Sequence, residues 1–83
     1  MAKLAKKELD TRTFPEICKS ITATEWIEIR NRMFVKLCKT EQTFRNWRNG
    51  KTYPLSIIER KAVAEIVNKV LGIKTQHNTL FIV

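Results

Sequence analysis

Two glycines and two prolines are the strongest backbone breaks in this chain of 83 residues, and each stands at the edge of a helix-patterned segment. Pro15 lies where a first helical turn tolerates proline, and Pro54 separates two such segments. Gly50 and Gly72 each follow a segment, at the place where a left-handed residue ends a helix without steric cost. These positions predict an all-α protein with four or five helices.

Capping signals set the expected starts of these helices. Residues 13–16, 22–25 and 56–59 each pair a Thr or Ser with a Glu three positions later, which is the capping-box pattern. Thr40 provides a further N-cap. The predicted helices are a short one to about residue 20 and three longer ones over 23–38, 40–49 and 56–71. Residues 1–12 are a basic lead-in and 73–83 a short extended C-terminal tail, so that residues 1–83 form a single domain.

Apolar residues at spacings of three and four predict the buried faces of the two longest helices. The earlier helix carries its stripe at Trp26, Ile29, Met33 and Leu37, widened by Ile27, Phe34 and Cys38. The later helix carries its apolar face at Ile58, Ala62, Val63, Ile66, Val67, Val70 and Leu71. Cys18 and Cys38 lack the spacing of a zinc or disulfide framework, so both are interpreted as small buried hydrophobes.

Lys and Arg outnumber Asp and Glu by 16 to 8, which gives a net charge of +8. Such an excess predicts attraction to a polyanion, most often nucleic acid. An anionic membrane surface is the weaker alternative, because the chain has no apolar run of about 20 residues that would span a bilayer. The N-terminus also lacks the apolar stretch of a secretory signal, so a cytoplasmic protein is expected.

The charge and the aromatic residues combine in the predicted helix over residues 40–49. Phe44 and Trp47 are three residues apart and share one helical face. The opposite face carries Gln42, Arg45, Asn46 and Asn49. Asn and Gln can bond adenine, and Arg can bond guanine, in the major groove of DNA. The alternative is an ordinary solvated helix with a polar face.

Residues 30–51 resemble the helix-turn-helix of the lambda-repressor/Cro-like (XRE-type) family. The residues that carry the resemblance are Met33-Phe34, Leu37, Thr43-Phe44, Trp47, and the ending Asn49-Gly50-Lys51 with Pro54. The chain departs from the family pattern at Cys38, where the turn usually has glycine, and at Phe34, where it usually has alanine. Lys39 also replaces an apolar turn residue. The resemblance implies a lambda-repressor-like helical bundle that presents its recognition helix to DNA.

The resemblance also implies roles for individual residues. The positions that read bases, or lie beside them, are occupied by Glu41, Gln42, Arg45 and Asn46. Contacts to phosphate are expected from Arg30, Lys39, Thr40, Arg48, Asn49, Lys51 and Thr52. Two interpretations of Glu41 stay open, because a carboxylate can accept a hydrogen bond from cytosine and can also stabilise the start of a helix. Phe44 and Trp47 are assigned to the core.

The resulting hypothesis is sequence-specific binding of double-stranded DNA by a small transcriptional regulator. Two rivals are a protein-interaction module on the same scaffold and a non-specific nucleic-acid binder. A homodimer is expected through the hydrophobic residues 80–83, with packing of this tail on the core as the alternative. His77 is the one histidine and lies outside any motif, so no enzyme, cofactor, metal site or small-molecule substrate is predicted.

Overall fold

A computed structural model describes residues 9–81, and in this range the chain forms five α-helices and no strand. The helices are α1 (Phe14–Lys19), α2 (Ala23–Leu37), α3 (Glu41–Arg48), α4 (Ile57–Leu71) and α5 (His77–Leu80). The predicted all-α class is therefore confirmed. None of the helices in this range is long and apolar enough to cross a membrane. Residues 1–8 of the predicted lead-in lie outside the described residues.

The helix starts follow the predicted caps with one exception. Thr22 and Glu25 form a reciprocal capping box, with N···O distances of 3.1 and 2.9 Å. Ser56 caps α4 by accepting a hydrogen bond from the backbone N–H two residues later, at 3.2 Å. The box predicted over residues 56–59 is nevertheless incomplete, because the carboxylate of Glu59 pairs instead with Nζ of Lys39 at 3.1 Å.

The core joins all five helices around a chain of aromatic rings. The rings of Phe34 and Phe44 meet edge to face at 5.0 Å, and Phe44 meets Trp47 at 5.4 Å. Phe81 continues the chain, 6.2 Å from Trp47 and 5.4 Å from Phe14. Such pairs add to the free energy gained from burial alone. This cluster fixes α3 between α1 and α2.

Three predicted core residues are exposed, Ile27, Ile58 and Cys38, and the first two of them lie within helices. Ile27 lies about 200° around the helix from Ile29, so it falls on the outer side of α2 and is 45% exposed. Ile58 shares a helical face with the buried Ala62, but it lies in the first turn of α4, beyond the end of the core, and is 79% exposed. The prediction that these two residues are buried was wrong, because Ile27 lies on the side of α2 away from the core and Ile58 lies beyond the elements that cover its face of α4.

The C-terminal segment is folded onto the core. Asn68 holds the connection after α4, since its side chain accepts from the backbone N–H and the hydroxyl of Thr75 at 2.8 and 2.7 Å. Leu80 and Phe81 are then buried in the main cluster. The predicted extended tail is corrected to a short helix, and these two residues are not exposed for a dimer contact. Residues 82–83 of that predicted contact lie outside the described range.

The two cysteines differ in environment. Cys18 is largely buried, and this burial raises the pKa of its thiol to about 12, so the thiol stays protonated at neutral pH. Cys38 is exposed and ends α2 in the left-handed conformation, with φ 56° and ψ 37°. The interpretation of Cys38 as a buried hydrophobe was wrong, because this turn residue lies against the last turn of α2, with its thiol 4.0 Å from the carbonyl oxygen of Val35, and stays exposed to solvent.

Replacing Cys38 with glycine is expected to stabilise the protein. A left-handed conformation costs an L-residue about 1–2 kcal/mol, whereas glycine adopts it freely but loses more chain entropy on folding. We expect a net gain of about 1 kcal/mol, which corresponds to a rise in Tm of about 4–8 °C for a domain of this size. The matched control is Cys38→Ala, which removes the thiol and keeps the strain. An equal rise in Tm for both variants would contradict the strain argument.

Candidate nucleic-acid interface

Helix α3 is held at its base by two aromatic side chains. Phe44 and Trp47 are buried, and they lie on the face of α3 that packs against the core. A three-residue turn, Cys38 to Thr40, joins α3 to α2, and the hydroxyl of Thr40 accepts from the backbone N–H of Thr43 at 3.2 Å. The buried rings fix the inner face of α3 in the core, and the capped turn fixes the start of the helix. The opposite, outer face of α3 is therefore directed to solvent.

The predicted base-reading residues come together on this outer face. The side-chain amide of Gln42 donates from Nε2 to Oδ1 of Asn46 at 3.0 Å. Nη2 of Arg45 donates to Oε2 of Glu41 at 2.8 Å. Gln42, Arg45 and Glu41 are exposed, and Asn46 is half-buried. The helix thus presents two side-chain pairs in parallel, one made of amides and one made of an arginine and a carboxylate.

Glu41 also connects α3 with α2. Its Oε2 atom lies 3.5 Å from Nη1 of Arg30, so one carboxylate oxygen faces two guanidinium groups. Nε of Arg30 is buried and has no hydrogen-bond partner within residues 9–81. Arg30 is one of the predicted phosphate contacts, and this geometry places its guanidinium next to Glu41, one of the predicted base-reading residues.

Three other predicted phosphate contacts lie in the loop after α3. Asn49 ends the helix, and Gly50 follows with a φ of 77°, which is the left-handed conformation predicted for it. The loop then turns back, so that the backbone N–H groups of Lys51 and Thr52 donate to the carbonyl oxygen of Asn46 at 2.9 and 3.4 Å. The side chains at positions 49, 51 and 52 are exposed at the C-terminal end of the outer face of α3.

The remaining predicted phosphate contacts, Arg48, Lys39 and Thr40, bind other groups of the protein. The guanidinium of Arg48 lies over the ring of Trp26, with its carbon 4.9 Å from the centroid. Lys39 pairs with Glu59, and the Thr40 hydroxyl caps α3. Both ion pairs and ring contacts of this kind are weak at a surface, so these cations can exchange their partners for phosphate.

Two residues next to this surface were not recognised from the sequence as part of it. Trp26 was assigned to the buried stripe, and Glu59 to a capping box. They lie 22 and 20 residues from their partners, Arg48 and Lys39. No periodic pattern connects positions so far apart on different helices, so the sequence holds no local signal for these contacts.

Other parts of the described surface offer different chemistry. A groove between α2 and α4 has three apolar residues, Ile27, Val35 and Ile66, in a lining that is otherwise polar or charged, and it has no residue of α3 in its lining. Within residues 9–81, His, Cys, Asp and Glu form no group of three that would hold a metal ion. None of the predicted base-reading or phosphate-contacting residues lines this groove.

Comparisons with protein-family models, with curated proteins and with solved structures found no match for this chain. The resemblance to the lambda-repressor/Cro-like family therefore rests on residues 30–51 themselves, and the function has to be argued from the geometry and charge of the surface around α3.

Proposed function

We propose that this protein binds double-stranded DNA sequence-specifically, by inserting α3 into the major groove, and that it acts in the cytoplasm as a small transcriptional regulator. The observation that carries this proposal is the division of α3 into two faces. Phe44 and Trp47 fix one face in the core, while the other presents Gln42, Arg45 and Asn46 to solvent. Because its inner face is fixed in the core, α3 holds these amides and the guanidinium in place toward solvent. They are the donors and acceptors that the edges of DNA bases require.

The amide pair on α3 supplies the chemistry for reading adenine. Because Gln42 donates to Oδ1 of Asn46, its own Oε1 atom and the amino group of Asn46 are left for a ligand. The Oε1 atom of Gln42 accepts a hydrogen bond, and the amino group of Asn46 donates one. Adenine presents the complementary pair in the major groove, with an N6 donor beside an N7 acceptor.

Charge around α3 supports the same function. Residues 39–51 contain four positive side chains and one negative, so this stretch carries +3 out of a total of +8. The positive residues Lys39, Arg48 and Lys51 flank the base-reading face along the chain. Phosphate contacts of this kind position a protein on the duplex and contribute affinity without selecting sequence.

Selection from random duplex DNA tests the proposal. The wild type is expected to enrich one sequence motif. Gln42→Ala should alter the enriched bases, whereas Lys51→Ala, which removes a phosphate contact, should weaken binding to all sequences by a similar factor. Absence of enrichment by the folded wild type at low salt would contradict specific DNA binding.

A single module of this size makes a small interface with DNA, so we propose that two copies read half-sites about one turn apart. The described residues offer exposed apolar side chains at the start of α4, where Leu55 and Ile58 are 82% and 79% exposed.

The exposed side chains of Leu55 and Ile58 also favour the alternative function, a protein-interaction module. That alternative predicts binding to a protein partner with no preference among DNA sequences, which the selection experiment separates from our proposal.

A further inference from the structure

Glu41 is held in a way that limits what it can do on the recognition face. Its Oε2 atom accepts from Arg45 at 2.8 Å and lies 3.5 Å from Nη1 of Arg30. Two guanidinium groups on this one oxygen balance the negative charge of the carboxylate and fix its orientation toward the protein. The contacts therefore favour a role inside the protein for Glu41 over direct contact with a base.

We propose that Glu41 is a positioning residue that orients Arg45 to read a guanine. This inference rests on the proposed DNA binding and adds to it the base and the residue pair that selects it. Arg45 is half-exposed, and only Nη2 is bound to Glu41. The edge formed by Nη1 and Nη2 still carries donors for O6 and N7 of guanine, the acceptor pair that arginine binds in bidentate fashion.

Arg30 contacts the same oxygen of the Glu41 carboxylate from α2. Its side chain is only 26% exposed and its Nε atom is buried, so its guanidinium lies against the protein at the junction of α2 and α3. A free arginine side chain loses considerable rotamer entropy when it binds. A carboxylate that is itself held by Arg30 lowers this cost for Arg45, because the guanidinium is already oriented before DNA arrives.

The geometry of α3 also predicts where the guanine lies relative to the adenine along the DNA site. Arg45 lies three residues after Gln42, which is about 4.5 Å along the axis of α3. Successive base pairs are separated by about 3.4 Å. We therefore expect the guanine selected by Arg45 to lie within two base pairs of the adenine selected by the Gln42–Asn46 pair.

The test is selection from random duplex DNA, followed by affinity measurements on the selected site and on the same site with its guanine replaced. The variants are Arg45→Ala and Glu41→Gln. The matched control is Glu28→Gln, which removes another carboxylate bound four residues away by an arginine, Arg32, at 3.0 Å on α2. Circular dichroism confirms that each variant is folded.

Arg45→Ala should abolish the preference for guanine at one position, a loss of about tenfold or more in discrimination. Glu41→Gln should reduce the same preference several-fold, while total affinity for DNA stays equal or rises because a negative charge near phosphate is removed. Glu28→Gln should change neither quantity. A merely structural role for Glu41 predicts a different pattern, in which affinity for all sequences falls together.

Full guanine discrimination in Glu41→Gln would overturn the inference. A change of preference at a second position, with the guanine preference retained, would also overturn it, because Glu41 would then read a base itself. An Arg45→Ala variant that selects the wild-type site would also overturn it. In these cases the proposed DNA binding stands, because the wild type still enriches a motif that depends on Gln42. Failure of the wild type to enrich any motif contradicts the proposed function itself.

Discussion

Phe44→Ala is expected to lower the free energy of unfolding by about 3–5 kcal/mol, which is the usual cost of removing a fully buried phenyl ring. Phe44 is completely buried, and its ring contacts both Phe34 and Trp47. A domain of this size has roughly 5–10 kcal/mol of stability in total. The variant should therefore keep roughly half of the wild-type stability and unfold at a clearly lower urea concentration, because the ring that contacts both α2 and Trp47 is lost.

Urea denaturation followed by circular dichroism measures this loss. The matched control is Leu55→Ala, which removes a large apolar side chain that is 82% exposed and should change the unfolding free energy by less than about 0.5 kcal/mol. If the unfolding free energy of Phe44→Ala stayed within 1 kcal/mol of the wild type, the aromatic cluster would not be what fixes α3. The argument that the outer face of α3 is held rigidly would then fail.

The affinity for DNA is expected to fall steeply with salt. The four cations among the predicted phosphate contacts are Arg30, Lys39, Arg48 and Lys51. If each neutralises one phosphate, log affinity falls against log salt with a slope of about −3.6 for one module. Raising salt from 50 to 200 mM then weakens binding by about 150-fold, and a dimer on two half-sites shows about twice this slope.

Fluorescence anisotropy at several salt concentrations, with the selected site and an unrelated duplex, measures the slope. Lys51→Ala should reduce its magnitude by about 0.9 per module. Lys69→Ala is the matched control, because Lys69 is an exposed cation that lines the groove between α2 and α4, and it should leave the slope unchanged. A slope near zero for the wild type would indicate that these cations keep their internal partners and do not contact phosphate.

The helix boundaries followed from the sequence because the signals that set them are local. Thr22 and Thr40 cap helices through contacts within three residues, and Gly50 and Gly72 adopt the left-handed conformation at helix ends. The assignment of Phe44 and Trp47 to the core was confirmed for a similar reason, since their spacing places both on one face of a short helix. A local rule is sufficient where the responsible atoms are neighbours in the chain.

The errors arose where burial depends on another part of the chain. Ile58 follows the apolar pattern of α4 but lies beyond the core, whereas residues 77–80, predicted as part of an extended tail, form a helix that ends with Leu80 and Phe81 in the main cluster. Cys38 shows the same limitation, because neither its apolar character nor its place in the turn shows whether another part of the chain covers it. Periodicity describes one helix at a time and does not show where its neighbours end.

By itself, the sequence determined an all-α chain with its caps, its helix ends and the polar residues of α3. Only the tertiary structure decided how those residues are connected. It joined Glu41 to Arg30 across two helices, placed Glu59 on Lys39, and laid Arg48 over Trp26. These contacts depend on the angle and distance between packed helices, and those are set by the summed packing of the aromatic core rather than by any local pattern.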